Sequence, residues 1–155
     1  MVETDPDGYH SVTPNSVDVT LSAQTPVGAA DFGDRVNGEV AGVVFRDDNF
    51  NGAQDDGEIG LGNVQVRLLP ANGTTPVAET VTTPQLGEYR FTGVANGAYR
   101  VEVVGLPDFN ITTAATVDLT LDNATRSAAV NFGQTLQSFM LFWPWWSRAV
   151  ESSAQ

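Results

Sequence analysis

Apolar and polar residues alternate in short segments along the middle of this chain, and Gly, Pro and Asn residues separate the segments. Tyr89 and Phe91 are one example, and Tyr99, Val101 and Val103 are another. A period of two predicts strands with one buried face. We expect strands near 38–46, 63–69, 77–82, 87–92, 97–104, 115–121 and 126–132. Because no stretch has a period of 3.6 residues, little helix is expected, and seven short strands predict an antiparallel β-sandwich.

The sequence also repeats itself, with identical residues 100 positions apart. The first members of the identical pairs are Thr13, Val17, Asp18, Thr20, Leu21, Thr25, Ala29, Phe32 and Gly33. Several of them alternate, as residues on one face of a strand do. The repeat divides the chain into a half-unit at 1–35, a complete unit at 36–134 and a tail at 135–155. The half-unit corresponds to the last two strands of a unit, so we expect two extra strands before the sandwich.

The half-unit needs a partner, because two strands alone are marginally stable in water and their open edges favour association. Three interpretations are open. The chain is a piece of a longer tandem array, or the half-unit completes a neighbouring copy by strand addition, or it folds back onto its own sandwich as extra strands. Under the second interpretation each copy completes the next, and a head-to-tail contact that does not close gives a filament.

A twelve-residue calcium-binding pattern lies between two of the predicted strands. The segment D-D-N-F-N-G-A-Q-D-D-G-E at 47–58 matches D-x-[DN]-x-[DN]-G-x5-E without a gap. Calcium takes six to eight oxygen ligands at about 2.3–2.6 Å, and Gly52 stands where such a loop turns sharply. The alternative is an acidic surface turn, which six constrained positions in register disfavour. The predicted ligands are Asp47, Asn49, Asn51, the Ala53 carbonyl, Asp55 (directly or through water) and the bidentate Glu58.

The sequence on either side of the loop indicates what the calcium does. An apolar, β-branched run at 39–45 precedes the loop, and 64–68 alternates with period two after it. A loop between strands cannot open a pair of helices, as calcium sensors do, but the ion can rigidify a long connection. We therefore expect a structural calcium ion rather than a signalling one.

Charge and composition exclude several classes of function. The net charge of -12 argues against binding to nucleic acid or anionic membrane surfaces, which requires clustered basic residues. The chain has no Cys, so it contains no disulfide, thiolate metal site or cysteine nucleophile, and all seven basic residues are Arg. No secretory-signal pattern opens the sequence, so a signal is expected to be missing or already removed. This composition is compatible with an extracellular bacterial or archaeal protein.

Several segments resemble the B-type repeats of Gram-positive SD-repeat adhesins. They are 38–46 with the calcium loop and 60–64, then 87–94, 96–101 and the segment D-F-G-D-R at 31–35. The resemblance covers nearly all of residues 2–133. It implies a prealbumin-like sandwich of the collagen-adhesin B type, calcium held for rigidity, and a place in extracellular stalks or matrix proteins. The calcium ligands that the resemblance implies are Asp47, Asn49, Asn51, Asp55 and Glu58.

The chain departs from related domains in two respects. B-type domains often carry a Lys–Asn isopeptide crosslink, and a chain without Lys cannot form one. Apart from side-chain packing, calcium binding is therefore expected to be the main interaction that stabilises the unit. The sequence also shows no LPxTG-like sorting motif with a membrane span and basic tail, so attachment to peptidoglycan by that route is not expected.

The tail has no counterpart in the repeat and contains all three Trp residues, at positions 143, 145 and 146. Its apolar run at 139–146, interrupted by Pro144, is too short for a membrane span, which takes about 20 residues. Three roles are considered: a cap on the open end of the sandwich, an anchor in a membrane interface, where Trp is favoured, and docking on another subunit. We prefer docking, because Trp is enriched at interface hot spots.

Catalytic constellations are poor in this sequence. His10 is the only histidine, and nothing marks triad partners for it. The calcium loop explains the paired acids Asp55 and Asp56 better than a pair of glycosidase carboxylates does. Three N-x-[ST] triplets are candidate glycan sites in a secreted protein, and their occupancy stays open: Asn72, Asn110 and Asn123.

Together these observations predict a non-enzymatic extracellular structural protein, a calcium-stabilised building block of a surface stalk or filament. Its expected partners are neighbouring repeats or further copies of the chain, joined head to tail through the half-unit and the tail. The alternative is an adhesin or carbohydrate-binding module of a tandem-repeat surface protein, with a surface glycan or a host or matrix ligand. A non-catalytic accessory domain of an enzyme is disfavoured by the 100-residue repeat.

Overall fold

A computed structural model describes residues 1–137 of the chain. These residues form strands and loops, and no helix occurs among them. The strands are β1 (Tyr9–Ser11), β2 (Asp34–Val36), β3 (Gly38–Arg46), β4 (Gln65–Pro70), β5 (Ala78–Val81), β6 (Glu88–Val94), β7 (Gly97–Val103), β8 (Phe109–Ile111), β9 (Thr116–Leu121), β10 (Ser127–Ala129) and β11 (Phe132–Leu136).

The complete unit consists of two sheets that face each other. One sheet has the order β5-β4-β7-β9 and is antiparallel throughout. In the other sheet, β3 pairs with β6 on one side and with both β10 and β11 on the other, and β8 follows β11. β10 and β11 run parallel to successive parts of β3, whereas β6 runs antiparallel to it. The predicted all-β sandwich is confirmed, but it is not antiparallel throughout as predicted, because β10 and β11 run parallel to β3.

The core lies between the two sheets because alternate side chains of their strands point inward. In β6, for example, Tyr89 and Phe91 are buried while Glu88 and Arg90 are exposed. The same alternation buries Val101 and Val103 in β7. The buried cluster contains Val40, Val44, Leu61, Val64, Val66, Leu68, Tyr89, Phe91, Val94, Val101, Val103, Leu121, Val130 and Phe132.

Apart from shifts of one or two residues at strand ends, the strands of the complete unit differ from the predicted ones in two respects. β8 was not predicted, because its three residues are too few to show a period. The strand expected at 126–132 is divided into β10 and β11, and the second part continues to Leu136. The Asn131 side chain lies at this division and accepts a hydrogen bond from the Val43 N–H at 3.0 Å. The first part of β3 therefore pairs with β10 and its last part pairs with β11, and the change occurs at Asn131.

The half-unit reproduces one ladder of the complete unit at an offset of 100 residues. Tyr9 pairs with Val36 in β1 and β2, just as Phe109 pairs with Leu136 in β8 and β11. The N–H of Val12 donates to the Gly33 carbonyl at 2.8 Å, and the equivalent bond in the complete unit is 2.9 Å. The structure thus repeats at this ladder.

The expected strands of the half-unit, equivalent to β9 and β10, do not form. In the complete unit β9 is held by β7 and β10 by β3, and the half-unit contains no counterpart of either partner strand. Among the described residues β1 and β2 pair only with each other, so the half-unit adds no strand to the sandwich. The boundaries at 1–35, 36–134 and 135–155 themselves stay predictions.

A single residue, Asn37, lies between β2 and β3. Its N–H donates to the Gly8 carbonyl at 2.8 Å, and its side-chain oxygen lies 3.0 Å from Nδ1 of His10. His10 is therefore a structural partner of this junction. No helix long and apolar enough to cross a membrane occurs within residues 1–137. The alternatives for the Trp-rich tail concern residues beyond 137, outside the described part of the chain.

Candidate metal centre

The calcium-type loop begins at the end of β3, and its first residue is held inside the sandwich. Asp47 is 0% exposed. Its N–H donates to the Gln134 carbonyl at 3.0 Å and so continues the ladder between β3 and β11. Gly133 passes close beside it: a methyl group there would lie 3.1 Å from the Asp47 Cβ. The first predicted ligand is thus fixed by the core strands rather than by the loop.

The loop turns back around the Asp47 carboxylate. The N–H groups of Asn51 and Gly52 donate to its two oxygens at 3.2 and 3.0 Å. Gly52 has a φ of 76°, which a side chain would disfavour, so the sharp turn predicted at this glycine is present. Folding the chain around a buried carboxylate in this way satisfies an acceptor that would otherwise be costly to bury.

The environment of Asp47 favours its charged form. Burial acts to raise the pKa of Asp47, but the Thr112 hydroxyl and the N–H groups of the loop outweigh burial and lower it. The Thr112 hydroxyl acts by proximity, because its geometry falls short of a full hydrogen bond. A carboxylate kept ionised at this position is suited to bind a cation.

The middle ligands converge on one carboxylate oxygen. The side-chain amides of Asn49 and Asn51 donate to Oδ2 of Asp55 at 2.7 and 2.6 Å. The N–H groups of the two amides therefore direct their positive partial charge at the Asp55 carboxylate. Rotating either amide by 180° exchanges its nitrogen and oxygen and presents the oxygen to the same space, but it gives up the bond that this oxygen accepts from the N–H of Asn51 or Ala53.

Glu58 closes the loop with both of its carboxylate oxygens. Oε1 accepts the N–H of Asp48 at 2.9 Å, and Oε2 accepts the N–H of Asp55 at 3.1 Å. Ala53 lies between the amide ligands and Glu58, and its N–H donates to Oδ1 of Asn51 at 2.7 Å. The structure therefore brings the side chains of all five predicted side-chain ligands into one hydrogen-bonded loop.

The donor set fits calcium in chemistry and charge. The predicted ligands are all oxygens, which hard cations prefer, and three of the side chains are carboxylates. Within residues 1–137 no group of three or more His, Cys, Asp or Glu side chains is close enough to hold a metal ion by itself. A calcium ion in this loop therefore depends on the Asn oxygens and the Ala53 carbonyl as well as on the carboxylates.

The sequence pattern does not identify the residues that hold Asp47 in place from outside the loop. These are Thr112, Gly133 and the Gln134 backbone, which belong to β11 or to the segment that follows β8. The 100-residue repeat points to one of them, because Gly133 recurs as Gly33. Asp48, a residue between the predicted ligands, points outward and pairs with Arg46 at 2.7 Å.

The pattern of the SdrD B-like domain family matches residues 38–142, more than half of the chain. Serine-aspartate repeat-containing protein F of Staphylococcus epidermidis is 46% identical over 63 residues, which are 41% of this chain and 4% of that protein. Serine-aspartate repeat-containing protein D of Staphylococcus aureus is 35% identical over 91 residues, 57% of this chain and 7% of that protein. The chain thus spans only a small part of these relatives.

Two solved structures show weaker similarity. The minor pilin GBS52 of Streptococcus agalactiae gives a TM-score of 0.49 at 17% identity, covering 68% of this chain and 48% of the pilin. The major pilin BcpA of Bacillus cereus gives a TM-score of 0.48 at 11% identity, covering 68% of this chain and 34% of the pilin. Similarity at this level supports no inference about function.

The resemblance inferred from the sequence is therefore confirmed by the match at 38–142 and by the two repeat-containing relatives. Domains of this kind are non-enzymatic parts of extracellular surface proteins, which agrees with the predicted class and location. The chain belongs to the SdrD B-like domain family.

Proposed function

We propose that the complete unit is a calcium-stabilised building block of a surface stalk or filament. The observation that carries the proposal is the position of Asp47, which belongs both to the calcium-type loop and to the buried ladder between β3 and β11. An ion that binds Asp47 and Glu58 ties the two ends of a strandless connection together. The loop then becomes a fixed part of the sandwich.

Calcium acts here through charge and through closure of the loop. The loop contains five carboxylates, at 47, 48, 55, 56 and 58, and only Arg46 forms an ion pair with one of them among the described residues. A divalent cation reduces the repulsion between these groups. A ligand that binds only the folded state stabilises it by about 2.7 kcal/mol when its concentration is 100 times its dissociation constant.

Thermal unfolding with calcium and with excess chelator tests this role. We expect the chelator to lower the Tm of the full chain, and we expect Glu58→Gln to remove most of the difference. Asp56→Asn is the matched control, because it removes one charge from the same loop at a position outside the predicted ligand set. Equal melting temperatures in calcium and chelator would overturn the calcium assignment.

The proposed assembly joins copies head to tail through the half-unit and the tail. Its support is that β1 and β2 form an isolated two-stranded ladder among the described residues, whereas the equivalent ladder of β8 and β11 continues into β3. Light scattering on the size-fractionated chain, with calcium and with chelator, measures assembly directly. Elongated species that dissociate in chelator support a calcium-dependent filament, whereas a monomer in both conditions contradicts it.

A second candidate function is ligand binding by an adhesin or carbohydrate module. It is favoured by an open groove of about 480 Å³ between β3, β5 and β6, whose lining includes Thr80, Glu88 and Arg90. Binding to an array of bacterial and host glycans tests this function. Specific binding that Arg90→Ser removes would favour it, and an array without specific signals would contradict it.

A further inference from the structure

The half-unit exposes apolar residues whose counterparts in the complete unit are buried. Leu121 is 1% exposed, whereas Leu21 is 59% exposed. Phe132 is fully buried, whereas Phe32 is only half-buried. In the complete unit β11 pairs with β3 and β9 pairs with β7, and the half-unit has no counterpart of either partner strand. The apolar face of the half-unit therefore lacks a partner within the described part of the chain.

Gly33 indicates which kind of partner is missing. At Gly133, its counterpart, a methyl group would collide with the Thr112 hydroxyl and would also lie 3.1 Å from Phe45 at the end of β3 and 3.1 Å from Asp47. Thr112 therefore gives the strongest reason for a glycine there, and the end of β3 closes the remaining space. At Gly33 a methyl group would meet only Val12, at 3.2 Å, and Thr13, at 3.7 Å. The half-unit keeps a surface that accepts a strand in the position of β3.

The repeat places the beginning of the tail at the position of β3. The Asn37 N–H donates to the Gly8 carbonyl at 2.8 Å, and the Gln137 N–H donates to the Asp108 carbonyl at 2.7 Å. Asn37 and Gln137 are therefore equivalent, and β3 begins directly after Asn37. After Gln137 and Ser138 comes the apolar run that contains every Trp of the chain.

The tail leaves the complete unit at the end opposite to the half-unit. β2 continues into the beginning of β3, whereas β11 runs parallel to β3 and passes beyond its last residue. The nine residues of β3 separate these two ends by roughly 30 Å, at about 3.3 Å per residue. This geometry favours contact between the tail of one copy and the half-unit of another.

We propose that residues 139–146 of one copy cover the half-unit of a second copy in the position that β3 has in the complete unit. This inference rests on the proposed head-to-tail assembly and names its two surfaces. By the repeat, 139–141 lie beside 27–29, since 39–41 pair with β10. Pro144 takes the position of Val44, whose N–H donates away from β11 to the Gly87 carbonyl, so the missing N–H of the proline leaves this ladder intact. Trp145 then takes the position of Phe45, opposite Gly33 and next to Phe32, and Leu21 lies beside the start of the added segment, as Leu121 lies beside Gly38.

Tryptophan fluorescence tests the proposal directly, because all three Trp residues of the full chain lie in the tail. We expect blue-shifted emission and weak quenching by acrylamide at high protein concentration. On dilution we expect the emission to shift to the red and the quenching constant to rise several-fold. Protection that does not change on dilution would mean that the tail caps its own unit, and it would overturn the proposal.

Two matched variants test whether the tail contacts the exposed face of the half-unit. Leu21→Asp places a charge on the exposed face of the half-unit and should abolish the protection of the Trp residues at every concentration. Val77→Asp is the control, because Val77 is 57% exposed but lies outside the half-unit. Protection that survives Leu21→Asp, or Trp residues that are freely quenched in the unmodified chain, would overturn the proposal. If light scattering still detects filaments in that case, assembly stands and only the proposed contact fails.

Discussion

Leu121→Ala is expected to destabilise the complete unit strongly. Leu121 ends β9 opposite Gly97 of β7, and its Cδ1 lies against Gly38, where β3 begins. The side chain thus fills the space between the two sheets at the end nearest the half-unit. Truncating a buried Leu to Ala removes its burial energy and leaves a cavity, at a cost of about 3 kcal/mol within a usual range of 2–5. For a chain of this length that corresponds to a Tm lower by about 6–12 °C.

Leu21→Ala is the internal control, because the same substitution is made at the equivalent position of the repeat. Leu21 is largely exposed, so its truncation should cost less than about 1 kcal/mol. Both variants are unfolded by urea in saturating calcium, at a concentration where the chain is monomeric. Equal losses of stability would refute the reasoning, since they would mean that the half-unit is packed as tightly as the complete unit.

Three further predictions concern the site and the core. Gly133→Ala should destabilise the unit by about 1–3 kcal/mol, because its methyl group collides with the Thr112 hydroxyl and presses on Asp47 and Phe45. Gly33→Ala should cost less, because its methyl group meets only Val12 and Thr13, and chemical denaturation compares the two variants. Tyr89→Phe should cost about 1–2 kcal/mol in the same assay, since its buried hydroxyl donates to the Val130 carbonyl at 2.6 Å. Because the pKa of Asp47 is lowered in the folded state, its ionised carboxylate stabilises the fold at pH values above the ordinary pKa of 3.8. This contribution is lost as the pH falls through the folded-state pKa. In chelator, the stability advantage of the unmodified chain over Asp47→Asn should therefore shrink in acid, and an advantage that does not depend on pH would contradict this.

The sequence predicts the long strands of the complete unit well, because their hydrophobic period is determined by burial of one face. β3 occupies the predicted residues, and β7 and β9 differ from prediction by one residue at an end. β8 is too short to show a period, and its existence depends on pairing with β11. The division between β10 and β11 depends on Asn131 and on the edge of β3, which are tertiary contacts.

The half-unit shows where local pattern is insufficient. Residues 17–21 alternate as residues 117–121 do, yet only the second segment is a strand. The difference is the presence of β7, which gives β9 its hydrogen bonds. Sequence identity between repeats therefore predicts the ladder of β1 and β2, whose two strands are both present, but not the strands whose partners are missing.

The candidate site likewise has features that the sequence predicts and features that it does not. The spacing of the loop predicts which side chains converge, since Asp47, Asn49, Asn51, Asp55 and Glu58 share one network of hydrogen bonds in the structure. The burial of Asp47 was not predictable from the loop, because Thr112 and Gly133 lie far along the chain. The loop motif is local, whereas its anchor is a property of the assembled sandwich.

Calorimetric titration of the metal-free full chain with calcium measures the proposed ion binding itself. We expect saturable binding of one calcium ion per chain, which Asp55→Asn weakens and Asp56→Asn leaves nearly unchanged. Absence of saturable binding, or binding that persists unchanged in a chain carrying both Asp47→Asn and Glu58→Gln, would contradict a calcium site in this loop.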